Sequence, residues 1–312
     1  MALPTESQVS GRLLALAATL ETHSGFADVI ASLHAGHGGT IGGTWGSGSA
    51  LTAATLARQL VSAPHPQVKG EERGLLVVVL PHDSVAESFA ADLPLFTDLP
   101  VALLPALEGD GSGMVGDDPT AAARLLVVKR LTLPGGVRPA IIVTSVQALL
   151  SPLDDPRDIV ASTRRLEVGG RLDPGELADW LAARGWQASG VIDAPGHFAR
   201  RGGIVDLFAP DWDRPVRVEL FGDEIESLRT FDTVSQRSVA TLEAIDLTAL
   251  ATRPPAPADE ALPVAKRGKK PAAAAPSLPA RRVQLSDLIP ASSWWALVEP
   301  VELVEEARRA FE

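Results

Sequence analysis

Apolar residues along this chain recur in two rhythms. From Gly74 to Pro81, "GLLVVVLP" is an unbroken β-branched run that predicts a buried strand, and "HDSVAESFAADLPLF" after it spaces its apolar positions as an amphipathic helix does. "VALLPA" predicts a second strand. "PTAAARLLVVKRLT" predicts a helix opened by Asp118 and Pro119, and "PAIIVTSVQALL" a strand running into another helix. Repeated strand-then-helix units imply a parallel sheet with helices on its faces, so residues 1–162 read as an α/β body.

From about Ser162 the rhythm shortens. "DPGELADWLAARGW" predicts a helix capped by Asp173 and stopped at Gly185, and short strands follow, separated by Gly202-Gly203, Asp211 to Pro215 and Gly222-Asp223. From about Ser162 the chain therefore reads as a compact antiparallel α+β module. Near the end of the chain, "WWALVE" predicts a strand and an amphipathic helix follows it. That helix reaches the chain end without a Gly or Asn cap, as expected of a piece of a longer protein. Between Arg253 and Arg282 the chain is rich in proline and alanine, with a basic knot at Lys266, Arg267, Lys269 and Lys270. Such a stretch is too poor in large apolar residues to fold and reads as a disordered linker. A nucleic-acid contact by the knot is the alternative.

Composition narrows the function. The 312 residues carry a formal charge of −11, which argues against a surface that grips phosphate backbones throughout. Cysteine is absent, so disulfides, thiol catalysis and thiolate zinc sites are excluded. Tyrosine is absent and aromatics are 4% of residues, so platforms for stacking bases are scarce. No apolar run reaches the roughly 18 residues of a membrane span, and no secretory signal opens the chain; a cytoplasmic location without a membrane partner is the expectation.

One stretch has the look of a nucleotide site. On "GGTWGSGSALTAATLARQL" the frame G-x-x-x-x-G-K-[ST] places Gly43 and Gly48 on its glycines, with Gly46 between them. Ser49 then stands where lysine would meet phosphate, and Ala50 where a hydroxyl would hold Mg²⁺. The loop reads as a degenerate P-loop whose task is to start a helix, with weak anion binding by its N–H groups as the residual role.

The block Pro195 to Val239 is similar to the N-terminal region of the transcription-repair coupling factor (Mfd) family, which itself resembles the excision-repair subunit UvrB. "PGHFARRGGIVDLF", "RPVRVELFGDEIESLRTFD" and "SQRSV" carry the likeness. "LLVVVLPHDSVAESFAADL", "DDPTAAARLLVVKRL", "IIVTSVQALL" and "LIPASSWWALVEPVELVEEA" extend it over nearly the whole chain. The resemblance implies domain 1a (1–162), domain 2 (163–230) and domain 1b (231–312, with the linker 253–282 as an insertion). It implies a module that recruits UvrA to stalled transcription and is not itself an enzyme or bound to a cofactor. ATP and Mg²⁺ would serve motor domains, and RNA polymerase and double-stranded DNA would be met by domains, that these residues lack. A UvrB-type helicase subunit, the first alternative, would need the lysine and hydroxyl that Ser49 and Ala50 replace, and a tyrosine-rich hairpin that has no counterpart here. A free-standing DNA-binding repair accessory protein is the second.

Alternation in "VRVELF" puts Val216, Val218 and Leu220 on one face and Arg217, Glu219 and Phe221 on the other. An arginine beside an exposed phenylalanine is a pairing enriched at interface hot spots. Arg201, before the Gly202-Gly203 turn, can join that face. By resemblance, Arg201, Arg217 and Phe221 match the UvrA-binding positions, with the arginines meeting acidic groups and Phe221 an apolar pocket. Asp223, Glu224 and Glu226 read as a solvated turn rather than a metal site. His34 and His37 share an HxxH spacing, but Gly36, Gly38 and Gly39 argue against the helix a zinc site would need.

Overall fold

The computed structural model describes residues 6–62, 73–107, 118–134, 136–250 and 282–310. Its contacts divide the chain into two compact units: Met1–Ala106, Val127–Leu153 and Val283–Glu312 form the first, and Leu107–Leu126 with Asp154–Arg282 the second. The 253–282 linker and its basic knot lie outside the described residues, save for Arg282.

The first unit is built on a parallel sheet of four strands, in the order Trp294–Leu297, Leu76–Leu80, Ile141–Ser145, Val101–Leu104. Every residue of the two central strands is buried, which explains why their sequences are apolar without alternation. Helix Ser47–Ser62 packs a stripe of Ala50, Ala53, Ala54 and Ala57 into the core formed with Leu76, Val78, Leu80, Phe89 and Leu93. Its small side chains let backbone and sheet come close. Ser145 ends one strand and caps the helix Val146–Leu150, its hydroxyl accepting from the Ala148 amide at 3.0 Å. Two helices, Glu6–Glu21 and Ser24–His34, precede the glycine turn.

The parallel α/β character matches the expectation from sequence, but a P-loop-like start does not. A P-loop joins a strand to a helix, whereas the chain between His34 and Ser47 contains no strand. The helix Ser24–His34, not a strand, leads into the turn: Phe26 is buried, and Ile30 and Leu33, at helical spacing from it, pack against the same core.

The second unit holds a six-stranded sheet in the order Ser238–Leu242, Glu224–Phe231, Val216–Phe221, Ile204–Leu207, His197–Arg201, Gln187–Ala188, antiparallel except for its last pair. Helix Pro174–Ala182, capped by Asp173, lays Leu177 and Leu181 onto the inner face, where Phe198, Val205, Leu207, Val216, Val218 and Leu228 meet them. A second antiparallel pair joins Ala244–Thr248 to Thr163–Glu167. The chain does not leave this unit at 231: Ser238–Leu242 extends the sheet and Ala244–Thr248 returns to the strand that opened it. The return to the first unit comes instead at Val283. No break in composition marks Phe231, which is the buried last residue of a strand.

Candidate functional site

Strand register assembles the outer face of the six-stranded sheet. Asp206 pairs with Arg217, and Arg217 with Arg229 on its other side; Ile204 pairs with Glu219 and with Arg201. The alternation expected of "VRVELF" holds: Val216 and Val218 are buried, Leu220 packs against the inner core, and Phe221 stands 81% exposed.

Arg217 grips Asp206 with both arms of its guanidinium, Nε donating to Oδ1 at 2.7 Å and Nη2 to Oδ2 at 2.9 Å. Such fork-to-carboxylate geometry is among the strongest polar contacts a protein makes. Asp206 is 8% exposed, so the pair is largely out of water. The hydrogen bonds Arg217 donates to Asp206 raise its pKa above the ordinary value, and burial opposes them. The guanidinium carbon also lies 4.8 Å from the centroid of the buried Phe231 ring. Phe231 joins Ile192, Ala199 and Phe208 in a small second core on this outer side.

Beyond that pair the face becomes polar. Glu219 accepts from the Ser227 hydroxyl at 2.5 Å and meets Arg229 at 3.5 Å. Two hairpin tips then close the same end of the sheet. Gly202-Gly203 turns between Arg201 and Ile204, with Gly202 at φ +57°, and Gly222-Asp223 turns between Phe221 and Glu224, with Gly222 at φ +67°. Positive φ at the first of two loop residues is the position that glycine fills in a type II′ hairpin. Gly203 brings the strands together, its carbonyl accepting from the Leu220 amide at 2.7 Å. Arg201 is exposed and donates to the Gly190 carbonyl; among the described residues it has no carboxylate partner.

The structure thus brings Arg201, Arg217 and Phe221 onto one face but gives them different surroundings. Asp206, Ile204 and Phe231 are residues that sequence reasoning missed. The first two were within its reach: alternation in "IVDL" places Ile204 and Asp206 on one face, and an antiparallel neighbour of "VRVELF" would set that face beside Arg217.

The glycine turn offers different chemistry. Gly43 and Gly46 have φ of +80° and +52°, and Trp45 is 84% exposed. Ser49 Oγ lies 3.4 Å from Thr44 Oγ1, and the Ala50 methyl is wholly buried in the core. Ser47, the first residue of the helix, donates to the Asp92 carboxylate at 2.6 Å. Asp92 thus brings a negative charge to the first residue of the helix, near the positive end of its dipole. His34 ends its helix with its ring edge-on to Trp294, centroids 5.0 Å apart, and Asp223 faces Arg171 at 3.5 Å in a solvated turn. Among the described residues no helix is long and apolar enough to cross a membrane.

Residues 165–251 match the family model of the UvrB interaction domain. The chain is 36% identical over 190 residues to a transcription-repair-coupling factor of Myxococcus xanthus, an alignment covering 58% of this chain and 16% of that protein. Against the Bacillus subtilis protein of the same name it is 35% identical over 156 residues, 49% of this chain and 13% of the other. A UvrABC system protein B of Fervidobacterium nodosum is 31% identical over 131 residues, 42% of this chain and 19% of its own length. These alignments reach only 16% and 13% of the two coupling factors' length. The matched span begins in the strand Thr163–Glu167 and ends after Ala244–Thr248, so it takes in the whole six-stranded sheet. Over residues 165–251 the chain is thus similar to the UvrB interaction domain, and over about half of its length it is similar to transcription-repair-coupling factors.

Proposed function

We propose that the chain is a non-catalytic, UvrB-like module of a transcription-repair coupling factor, and that the outer face of its six-stranded sheet binds UvrA to bring excision repair to stalled RNA polymerase. The observation that carries this reading is the coincidence of two spans: the UvrB interaction domain match falls on the sheet that presents an 81% exposed phenylalanine beside two arginines. A large aromatic side chain in water costs free energy that a partner pocket recovers. Polymerase and double-stranded DNA are left to parts of the protein outside these residues, and the setting is the cytoplasm.

Nucleotide chemistry has little support at the glycine turn. Ser49 offers no cation, Ala50 turns its methyl into the core and Asp92 holds the helix start. This favours the coupling-factor reading over that of a UvrB-type helicase subunit. In a binding assay with purified UvrA, Phe221→Ala and Arg201→Ala are each expected to weaken the complex at least tenfold while circular dichroism stays unchanged. Equal affinity of both variants and wild type would remove the face from consideration. Micromolar Mg-ATP binding by this chain would restore the helicase reading.

A further inference from the structure

The parallel sheet of the first unit ends in an open edge, and we infer that this edge pairs with the same edge of a second copy of the chain. Next to strand Leu76–Leu80, the Trp294 amide donates to the Leu75 carbonyl and the Val298 amide to that of Val79, both at 3.0 Å. In a parallel ladder alternate residues bond to the same neighbour, so Trp295 and Leu297 aim their N–H and C=O groups the other way. Strand Trp294–Leu297 is the outermost of its sheet, and among the described residues no strand pairs with that side. Side chains divide in the same manner. Trp294, Ala296 and Val298 join the core, whereas Trp295 is 41% and Leu297 59% exposed. Sheets commonly blunt such an edge with lysine, proline or a bulge. "WWAL" holds neither residue, and it pairs with Leu76–Leu80 in unbroken register.

The edge is complementary to itself. Antiparallel pairing about a two-fold axis at Ala296 sets Trp295 opposite Leu297 of the second copy and Leu297 opposite its Trp295, each pair exchanging two backbone hydrogen bonds. Ala296 then meets Ala296 at a position without hydrogen bonds, where Cα atoms approach to about 4.5 Å and a small side chain fits. Trp295 and Leu297 share one face, so each exposed side chain covers its counterpart, an aromatic against an aliphatic. An unrelated strand would meet the same backbone without this match, which favours a second copy as the occupant. Charge does not oppose the approach. The nearest exposed carboxylate along the chain, Glu299, is three residues from the axis, so the two copies of it stand about 20 Å apart, beyond the Debye length of about 10 Å at 0.1 M salt. Val301 and Val304, exposed on helix Pro300–Arg309, carry the apolar surface past the strand. Four side chains per copy and four backbone hydrogen bonds fall well short of the roughly 1,600 Å² of a standard interface, so the dimer is weak and forms at high protein concentration.

The test follows the whole 312-residue chain over a wide range of concentration, by analytical ultracentrifugation and by residue-resolved amide exchange. The mass is expected to rise from 32.7 kDa toward twice that value. Exchange at the outward amides of Trp295 and Leu297 should slow in step with it, while the amides of Trp294 and Ala296, already bonded within the sheet, change little. Leu297→Lys places a charge where the copies meet and is expected to weaken dimerisation about tenfold or more, with the unfolding temperature unchanged. A chain that stays monomeric with fast exchange at Trp295 and Leu297 overturns the proposal. A dimer that survives Leu297→Lys undiminished also overturns it, because the interface would then lie elsewhere. Protection of both outward amides in a monomer at every concentration overturns it as well, since another segment of the same chain would then hold the edge. The exchange measurement needs no variant, and it decides by itself should Leu297→Lys fold poorly.

Discussion

At the scale of single residues, the chain uses carboxylates mainly to hold backbone and strands in place. Asp206 is one case; Asp173 is another. Its Oδ1 accepts from the amides of Gly175 at 2.7 Å and Glu176 at 2.9 Å at the start of helix Pro174–Ala182. Those hydrogen bonds, Glu176's the larger, hold its pKa below the ordinary 3.8. The unfolded chain thus binds the proton more tightly than the folded one, so the contribution of this cap is complete above about pH 5 and fades as pH falls through 3.8 toward the lower folded value. Asp173→Asn keeps an acceptor and loses the titration. Urea melts between pH 5 and pH 3 should show a shallower loss of stability in Asp173→Asn than in wild type; parallel slopes would refute the assignment. Sequence reasoning found Asp173 because a cap is a local pattern. Alternation puts Asp206 and Arg217 on the same face, but which residue stands opposite which depends on register, which no single strand's sequence contains.

At the scale of elements, hairpin tips decide what the sheet can present. Gly202-Gly203 and Gly222-Asp223 were legible as turns, and so were the strands between them. The close approach at Gly203 was not: a Cβ there would stand 2.8 Å from the Leu220 carbonyl oxygen, inside any normal contact. Gly203→Ala is expected to cost about 1–3 kcal/mol by pushing apart two strands that cannot yield without losing a hydrogen bond. Chemical denaturation would measure it, and a loss below about 0.5 kcal/mol would mean the strands shift freely. The turn before Ser47–Ser62 shows the opposite limit of sequence reading. Its glycine spacing fits a phosphate loop well, but spacing carries no information on the preceding element, and there a helix replaces the strand. The buried face of Ala50 has the same origin: an alanine at a hydroxyl position is also an alanine in a core stripe at helical spacing.

For the molecule as a whole, the division into two units is drawn by strand pairing more than by composition. Alternation changes near Ser162, and the observed change of unit at Asp154 lies close to it. The far boundary was misplaced because Phe231 continues straight into further strands of the same sheet. A fragment spanning 154–250 contains the inner core and the small outer core, both built from residues within that span. It is expected to unfold cooperatively on its own and to bind UvrA as the full chain does; a fragment without a sigmoidal transition would count against its autonomy. The first unit has a different dependence on chain continuity. Its sheet places Trp294–Leu297 directly beside Leu76–Leu80, although more than two-thirds of the described chain lies between them in sequence. Closing a chain interval of that size has an entropic cost that grows only with the logarithm of its length, about 0.6 kcal/mol for each doubling. The edge strand is thus nearly indifferent to how much sequence intervenes, and lengthening the proline- and alanine-rich stretch before Arg282 should leave the parallel sheet thermodynamically almost unaware of the change.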